Sequence, residues 1–154
     1  MRLWHNALLP YLPDAQFRGQ CREMMAILRD WKYKGKTNHL LINKVMGYPK
    51  NDFVRYFLEY NVEYHKRYGK WLTKAWEEIK AFDDTPIEER SNGFFDGWHN
   101  KEYLRVCMAN LYEKHFFGVG KSRITDEEWE TLCRGYKEIT GEEYVIWSVL
   151  NLSD

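Results

Sequence analysis

The spacing of apolar residues is the feature of this sequence that most restricts its fold. From Asp14 to about Trp31, apolar side chains recur every three or four residues, as on the buried face of an amphipathic helix. A second, aromatic series follows Pro49: Phe53, Phe57, Tyr60, Tyr64, Tyr68 and Trp71. Only residues 144–147 have the composition of a strand. The pattern predicts an all-α protein.

Helix-start signals extend this pattern into the second half of the chain. Residues 85–88 and 125–128 each have the sequence of a capping box, and a further helix is expected to begin near Asn100. No internal repeat and no linker rich in Gly, Pro or Ser divides the chain. We therefore expect one compact domain over residues 1–154, built from three to five helices.

Charge is distributed unevenly, although the net charge is zero. Residues 1–75 contain 14 Lys and Arg against 6 Asp and Glu, whereas residues 76–154 contain 9 against 17. A basic half can attract a polyanion, because a ligand responds to the local potential rather than to the net charge. The alternative is that the two halves pair with each other in the folded protein.

The common motifs for metal, phosphate or serine chemistry are absent from the sequence. The five His include no pair four residues apart, and the three Cys do not have zinc-finger spacing. There is no Walker loop, no GxGxxG and no G-x-S-x-G. We expect neither a metal nor a cofactor.

The compartment is predicted from the cysteines and from hydropathy. Cys21, Cys107 and Cys133 are odd in number and widely spaced, which is typical of reduced thiols. No apolar run approaches the ~18 residues that a membrane span requires. We expect a cytoplasmic protein that does not contact the membrane.

A longer motif occupies the first 25 residues. It consists of Met-Arg-Leu-Trp-His at the start, then Leu-Pro-Tyr-Leu-Pro, then Gly-Gln-Cys-Arg-Glu ending at Glu23. This pattern resembles the phage-type endonuclease V family of pyrimidine dimer DNA glycosylases with abasic-site lyase activity, and is similar to its bacterial relatives. The resemblance weakens over residues 48–69 and 98–114. It implies an endonuclease V-like helical fold.

The resemblance also implies roles for individual residues. In the family, the chain starts with a nucleophilic residue followed by Arg, and an Arg-Glu pair on the first long helix supplies the catalytic carboxylate. Arg2, Arg22 and Glu23 match these positions, and Met1 stands where the phage enzyme exposes a small residue. We expect Met1 to be retained, because the bulky Arg2 follows it. Its α-amino group would attack C1′ of the damaged nucleotide and form a Schiff base, while Glu23 moves protons and the two arginines hold phosphates.

Further DNA contacts are expected around this centre. Gln16 stands where the family has a Gln-His pair, although Ala15 replaces the first member. Three lysines near the end of the first helix are expected to contact the DNA backbone: Lys32, Lys34 and Lys36. Trp4 and His5 are expected to shape the pocket. The tail from residue 141 is acidic, whereas the family ends in an aromatic, basic segment.

The expected function is therefore DNA repair. The chain would excise damaged pyrimidines, including cyclobutane dimers, from double-stranded DNA and cut the strand at the resulting abasic site. The alternative is a non-catalytic DNA-binding or protein-interaction module that keeps the same helical scaffold.

Overall fold

The computed structural model describes residues 2–83 and 95–146, and every regular element among them is a helix. The six α-helices are α1 (Asp14–Tyr33), α2 (Leu40–Met46), α3 (Lys50–Tyr68), α4 (Thr73–Phe82), α5 (Lys101–Phe116) and α6 (Asp126–Thr140). Two short 3₁₀ helices, Asn6–Tyr11 and Gly120–Ser122, precede α1 and α6 respectively. The prediction of an all-α protein is confirmed.

Helix boundaries agree with the sequence where capping residues are present. Asn100 caps α5 by accepting a hydrogen bond from the Tyr103 amide, and Thr125 forms a reciprocal capping box with Glu128 at the start of α6. Helix α1 ends at Tyr33, close to the predicted position. The expected helix start at residues 85–88 lies outside the described residues.

The predicted number of helices was too low. Helix α2 has seven residues, which is too short to display a periodic pattern, and α4 begins after Leu72, which provides no side-chain cap. The aromatic series also ends earlier than expected, because Gly69 adopts φ 70° and terminates α3 at Tyr68. Trp71 therefore lies outside the helix, and residues 144–146 do not form a strand.

Aromatic side chains form the centre of the core, between α1 and α3. The rings of Phe17 and Tyr60 stack at 4.4 Å, and the Tyr60 hydroxyl donates a hydrogen bond to the Phe17 carbonyl at 2.6 Å. Phe53, Tyr56 and Phe57 of α3 are fully buried. Burial of one large apolar side chain stabilises a fold by about 1.5–3 kcal/mol, so this packing fixes α1 against α3.

Among the described residues, no ion pair joins the basic half of the chain to the acidic half. Each ion pair between described residues links two groups of the same half, as Arg67 does with Glu63 and Lys101 with Glu142. The interpretation that the halves neutralise each other therefore gains no support from the described part of the chain. No helix there is long and apolar enough to cross a membrane.

Candidate active site

The amino-terminal segment is held in the protein by side chains that bind its backbone. Gln20 of α1, which is 1% exposed, makes two of these bonds. Its Nε2 donates to the Arg2 carbonyl at 2.9 Å, and its Oε1 accepts from the Trp4 amide at 2.8 Å. Leaving a buried backbone group without a partner costs about 1–3 kcal/mol. Gln20 therefore fixes the course of residues 2–4 along α1.

Two tyrosine hydroxyls hold the same segment from the other side. Tyr56 of α3 donates to the Trp4 carbonyl at 2.6 Å, and Tyr103 of α5 donates to the Leu3 carbonyl at 2.6 Å. Burial raises the pKa of both hydroxyls, so they remain protonated donors. Three helices thus position the start of the chain.

Glu23 lies at the outer end of this arrangement, one helical turn after Gln20. Its Oε2 accepts a hydrogen bond from the Arg2 amide at 2.9 Å. The carboxylate is half-buried, so it remains accessible from the solvent. This bond joins the Glu23 carboxylate to the Arg2 nitrogen, which is the atom that links Arg2 to residue 1.

A cleft of about 380 Å³ opens beside this carboxylate. Its walls are formed by Arg2, Trp4, Ala15, Gln16, Gly19, Gln20, Arg22, Glu23, Lys114 and Ser122. Three cations, those of Arg2, Arg22 and Lys114, surround one carboxylate. None of the three forms an ion pair with a described carboxylate. The cleft therefore offers uncompensated positive charge to an anionic ligand.

The structure brings together five of the predicted site residues in this cleft: Arg2, Trp4, Gln16, Arg22 and Glu23. The Arg2 guanidinium lies 4.9 Å from the centre of the Trp4 ring, a distance typical of a cation–π contact. Gln16 is mostly buried, and its Nε2 donates to the Ser122 carbonyl at 2.9 Å. Met1 lies outside the described residues.

His5 does not line the cleft, contrary to expectation. Its ring stacks on that of His99 at 5.2 Å, and its Nδ1 accepts a hydrogen bond from the Ala7 amide at 3.1 Å. Burial lowers the pKa of His5 and lowers that of His99 to about 3. Both rings are therefore neutral near pH 7. The physical reason is alternation: Arg2 and Trp4 face the cleft, whereas Leu3 and His5 face the core.

The three predicted lysines lie at the far end of α1. Lys32 follows Glu23 by nine residues, or roughly 14 Å along the helix axis. All three side chains are exposed, and Lys34 pairs with Asp30 at 3.3 Å. They are not part of the cleft, so a ligand that contacts both regions must extend along α1.

Two further cavities differ from this cleft in their lining. One of about 300 Å³ between the first 3₁₀ helix and α3 is lined by four apolar and four polar or charged residues and contains none of the predicted site residues. Another of about 320 Å³ between α3 and α4 includes Trp71 and Trp76. Within residues 2–83 and 95–146, no three His, Cys, Asp or Glu side chains converge as metal ligands would.

Comparison with known protein families identifies the family of the chain. The family model for pyrimidine dimer DNA glycosylases matches residues 1–81. The chain belongs to this family. No curated protein and no solved structure matches the chain. The matched region contains α1–α3, all of α4 except Phe82, and eight of the ten residues that line the basic cleft. The family identifies DNA as the substrate.

The remaining two cleft residues, Lys114 and Ser122, lie outside the region that matches the glycosylase family. The local sequence did not assign either to the site, because only the folded chain brings the 3₁₀ helix Gly120–Ser122 and the end of α5 to the cleft beside α1. Gln20 was also missed as a positioning residue. A signal for it was present, since Gln16, Gln20 and Glu23 occupy one face of α1 at spacings of four and three residues.

Proposed function

We propose that this protein is a DNA glycosylase with abasic-site lyase activity, which acts on damaged pyrimidines in double-stranded DNA, with cyclobutane dimers as the first candidate. The nucleophile is the α-amino group of Met1, and the catalytic carboxylate is that of Glu23. The observation that carries the proposal is the 2.9 Å hydrogen bond from the Arg2 amide to Glu23. The proposed compartment is the cytoplasm.

Covalent geometry supports the pairing of amine and carboxylate. Three bonds separate the α-nitrogen of residue 1 from the Arg2 nitrogen, and they span at most about 4.3 Å. The Arg2 nitrogen, three bonds from the proposed nucleophile, is 2.9 Å from Glu23 Oε2, and this supports the assignment of the amine and the carboxylate to one site. A deoxyribose ring between the two groups can contact both.

The reaction follows from these two groups. The free amine attacks C1′, and the glycosidic bond breaks with its electron pair going to the departing base, which leaves the amine bonded to C1′. The C1′–O4′ bond then breaks as Glu23 carries a proton from the amine to O4′, so the sugar ring opens and an iminium forms between the amine and C1′. Glu23 then accepts a proton from C2′, and the C3′–O bond breaks to release the 3′ phosphate and cut the strand. Hydrolysis of the imine restores the amine.

The cations account for binding in this proposal. Arg2, Arg22 and Lys114 contact phosphates beside the damaged nucleotide, since charge-assisted hydrogen bonds to phosphate oxygens fix the position of a DNA strand. The target atom is inaccessible within a stacked duplex, so a nucleotide must leave the helix before the amine reaches C1′. The cleft beside Glu23 provides about 380 Å³ for such a nucleotide.

The test is reduction of the Schiff base with borohydride on DNA that contains an abasic site. We expect the wild-type protein to form a covalent adduct and to cut the strand. Glu23→Gln is expected to keep the adduct and to reduce strand cleavage about 10²- to 10⁴-fold, because the proton acceptor is lost.

A form that carries extra residues ahead of Met1 serves as the second variant, since it displaces the reacting amine but leaves the cleft intact. It is expected to bind the DNA and form no adduct. A wild-type protein with a free Met1 amine that binds DNA without forming an adduct would instead establish the non-catalytic module.

A further inference from the structure

Apolar side chains project into solvent at the end of α5 and just after it. Phe116, Phe117 and Val119 are 64%, 73% and 81% exposed, although aromatic and branched residues are usually buried. Three such residues within four positions form an apolar patch, which we call the rim patch. Exposed apolar patches of this kind commonly mark interaction sites.

The rim patch has a defined shape. The Phe116 ring stacks on that of Tyr112 at 5.7 Å, and Phe117 packs edge-on against Phe116 at 4.8 Å. A Cβ atom at Gly118 would lie 2.0 Å from the Lys114 carbonyl oxygen, so only glycine allows the chain to turn this tightly against α5. The two phenylalanine rings are thus held by packing contacts.

The rim patch borders the basic cleft. Lys114 precedes Phe116 by two residues and Ser122 follows Val119 by three, and both residues line the cleft. The Ile124 amide donates to the Lys114 carbonyl at 3.2 Å, which closes the loop at its base. Gln16 of α1 holds the Ser122 carbonyl at 2.9 Å. A ligand in the cleft therefore lies next to this loop.

Charge around the rim patch favours a polyanion. Residues 114–125 contain three Lys and Arg and no Asp or Glu, although they lie in the acidic half of the chain. Lys121 and Arg123 are exposed beside the patch. Apolar and aromatic side chains flanked by bases suit nucleic acid, because bases stack on the rings while the cations hold the backbone.

We propose that Phe117 and Val119 enter the DNA duplex beside the nucleotide that occupies the cleft, and fill the space that it leaves in the base stack. This inference rests on the proposed function, which requires a nucleotide to leave the helix. Phe116 is a supporting residue, because its ring holds Phe117 in place. The partner of the rim patch is thus the damaged duplex, rather than a second copy of the chain.

The test compares the double variant Phe117→Ser/Val119→Ser with Trp71→Ser/Val106→Ser. Like the rim variant, the control removes one aromatic and one aliphatic side chain. Trp71 and Val106 are about half exposed and lie outside the cleft. The probes are an intact duplex and a duplex with a tetrahydrofuran abasic analogue next to 2-aminopurine. We expect the rim variant to bind the analogue duplex about ten-fold more weakly, with less than two-fold change on the intact duplex, because one stacking contact is lost.

The 2-aminopurine fluorescence change on binding is expected to disappear in the rim variant and to persist in the control. An equal loss of affinity for both duplexes, or no loss, would overturn the proposal. So would a wild-type dimer that the rim substitutions convert to a monomer. These binding measurements do not require Schiff-base chemistry, so the two proposals can fail separately. If the wild-type protein forms no adduct but the rim variant still binds the analogue duplex more weakly than the wild type does, the proposed function fails and this inference stands.

Discussion

Replacement of Gln20 by Leu is expected to disturb both stability and chemistry, because one side chain fixes the start of the chain. The substitution removes the bonds to the Arg2 carbonyl and the Trp4 amide in a fully buried position. One buried unsatisfied backbone group costs about 1–3 kcal/mol, and the part-buried Arg2 carbonyl costs less because water reaches it. We expect the free energy of unfolding to fall by about 2–4 kcal/mol, and the melting temperature by roughly 4–16 °C.

The chemical effect should exceed the loss of folded protein. Without Gln20, residues 2–4 are no longer fixed along α1, so the proposed amine is presented to the cleft less precisely, and the rate of borohydride trapping should fall about ten-fold or more at a temperature where the variant is folded. Asn61→Leu is the matched control. Buried Asn61 accepts a 2.9 Å hydrogen bond from the Leu72 amide, and neither residue lines the cleft. It should lose similar stability and keep the trapping rate. Wild-type trapping by Gln20→Leu would refute the reasoning.

Three further predictions concern packing, pH and salt. Gly135→Ala should lower the melting temperature by roughly 2–12 °C in a thermal denaturation scan, because its Cβ would lie 2.4 Å from the Tyr11 ring; an unchanged value would contradict the packing. The free energy of unfolding should fall as the pH is lowered from about 6.5 towards 3, because the unfolded chain protonates His99 at the higher pH and the folded protein only near the lower. Urea titrations at pH 7 and 5 test this. The wild type should lose more stability between these two pH values than His99→Gln, and equal losses would refute the prediction. Lys114→Ala should reduce the slope of the logarithm of the duplex binding constant against the logarithm of salt concentration by about one, because one phosphate contact is lost. An unchanged slope would show that Lys114 does not contact the DNA.

Local sequence signals predicted the helices that carry their own caps. Asn100 and Thr125 announce α5 and α6, because the capping bonds form between residues three positions apart. Helices α2 and α4 have no side-chain cap, and packing against longer helices determines where they lie. The end of the aromatic series depended on Gly69, whose left-handed conformation outweighs the apolar spacing that continues to Trp71.

The candidate site residues were assigned from the family resemblance, whose motif lies within the first 25 residues. Arg22 and Glu23 are adjacent, and Arg2 meets Glu23 through a contact between the chain start and the first long helix. Lys114 could not be assigned to the site, because it reaches the cleft only through the packing of α5. His5 was placed in the pocket since it follows Trp4, but successive side chains of the segment face opposite sides.

The central claim is that the α-amino group of Met1 forms the Schiff base, and mapping the trapped atom tests it most directly. After borohydride reduction on abasic-site DNA, mass spectrometry of the digested adduct identifies the modified residue. We predict that the sugar fragment is attached to the amino-terminal nitrogen of Met1. Attachment to a lysine of the cleft, such as Lys114, would contradict the proposed chemistry and leave Glu23 beside the wrong nucleophile.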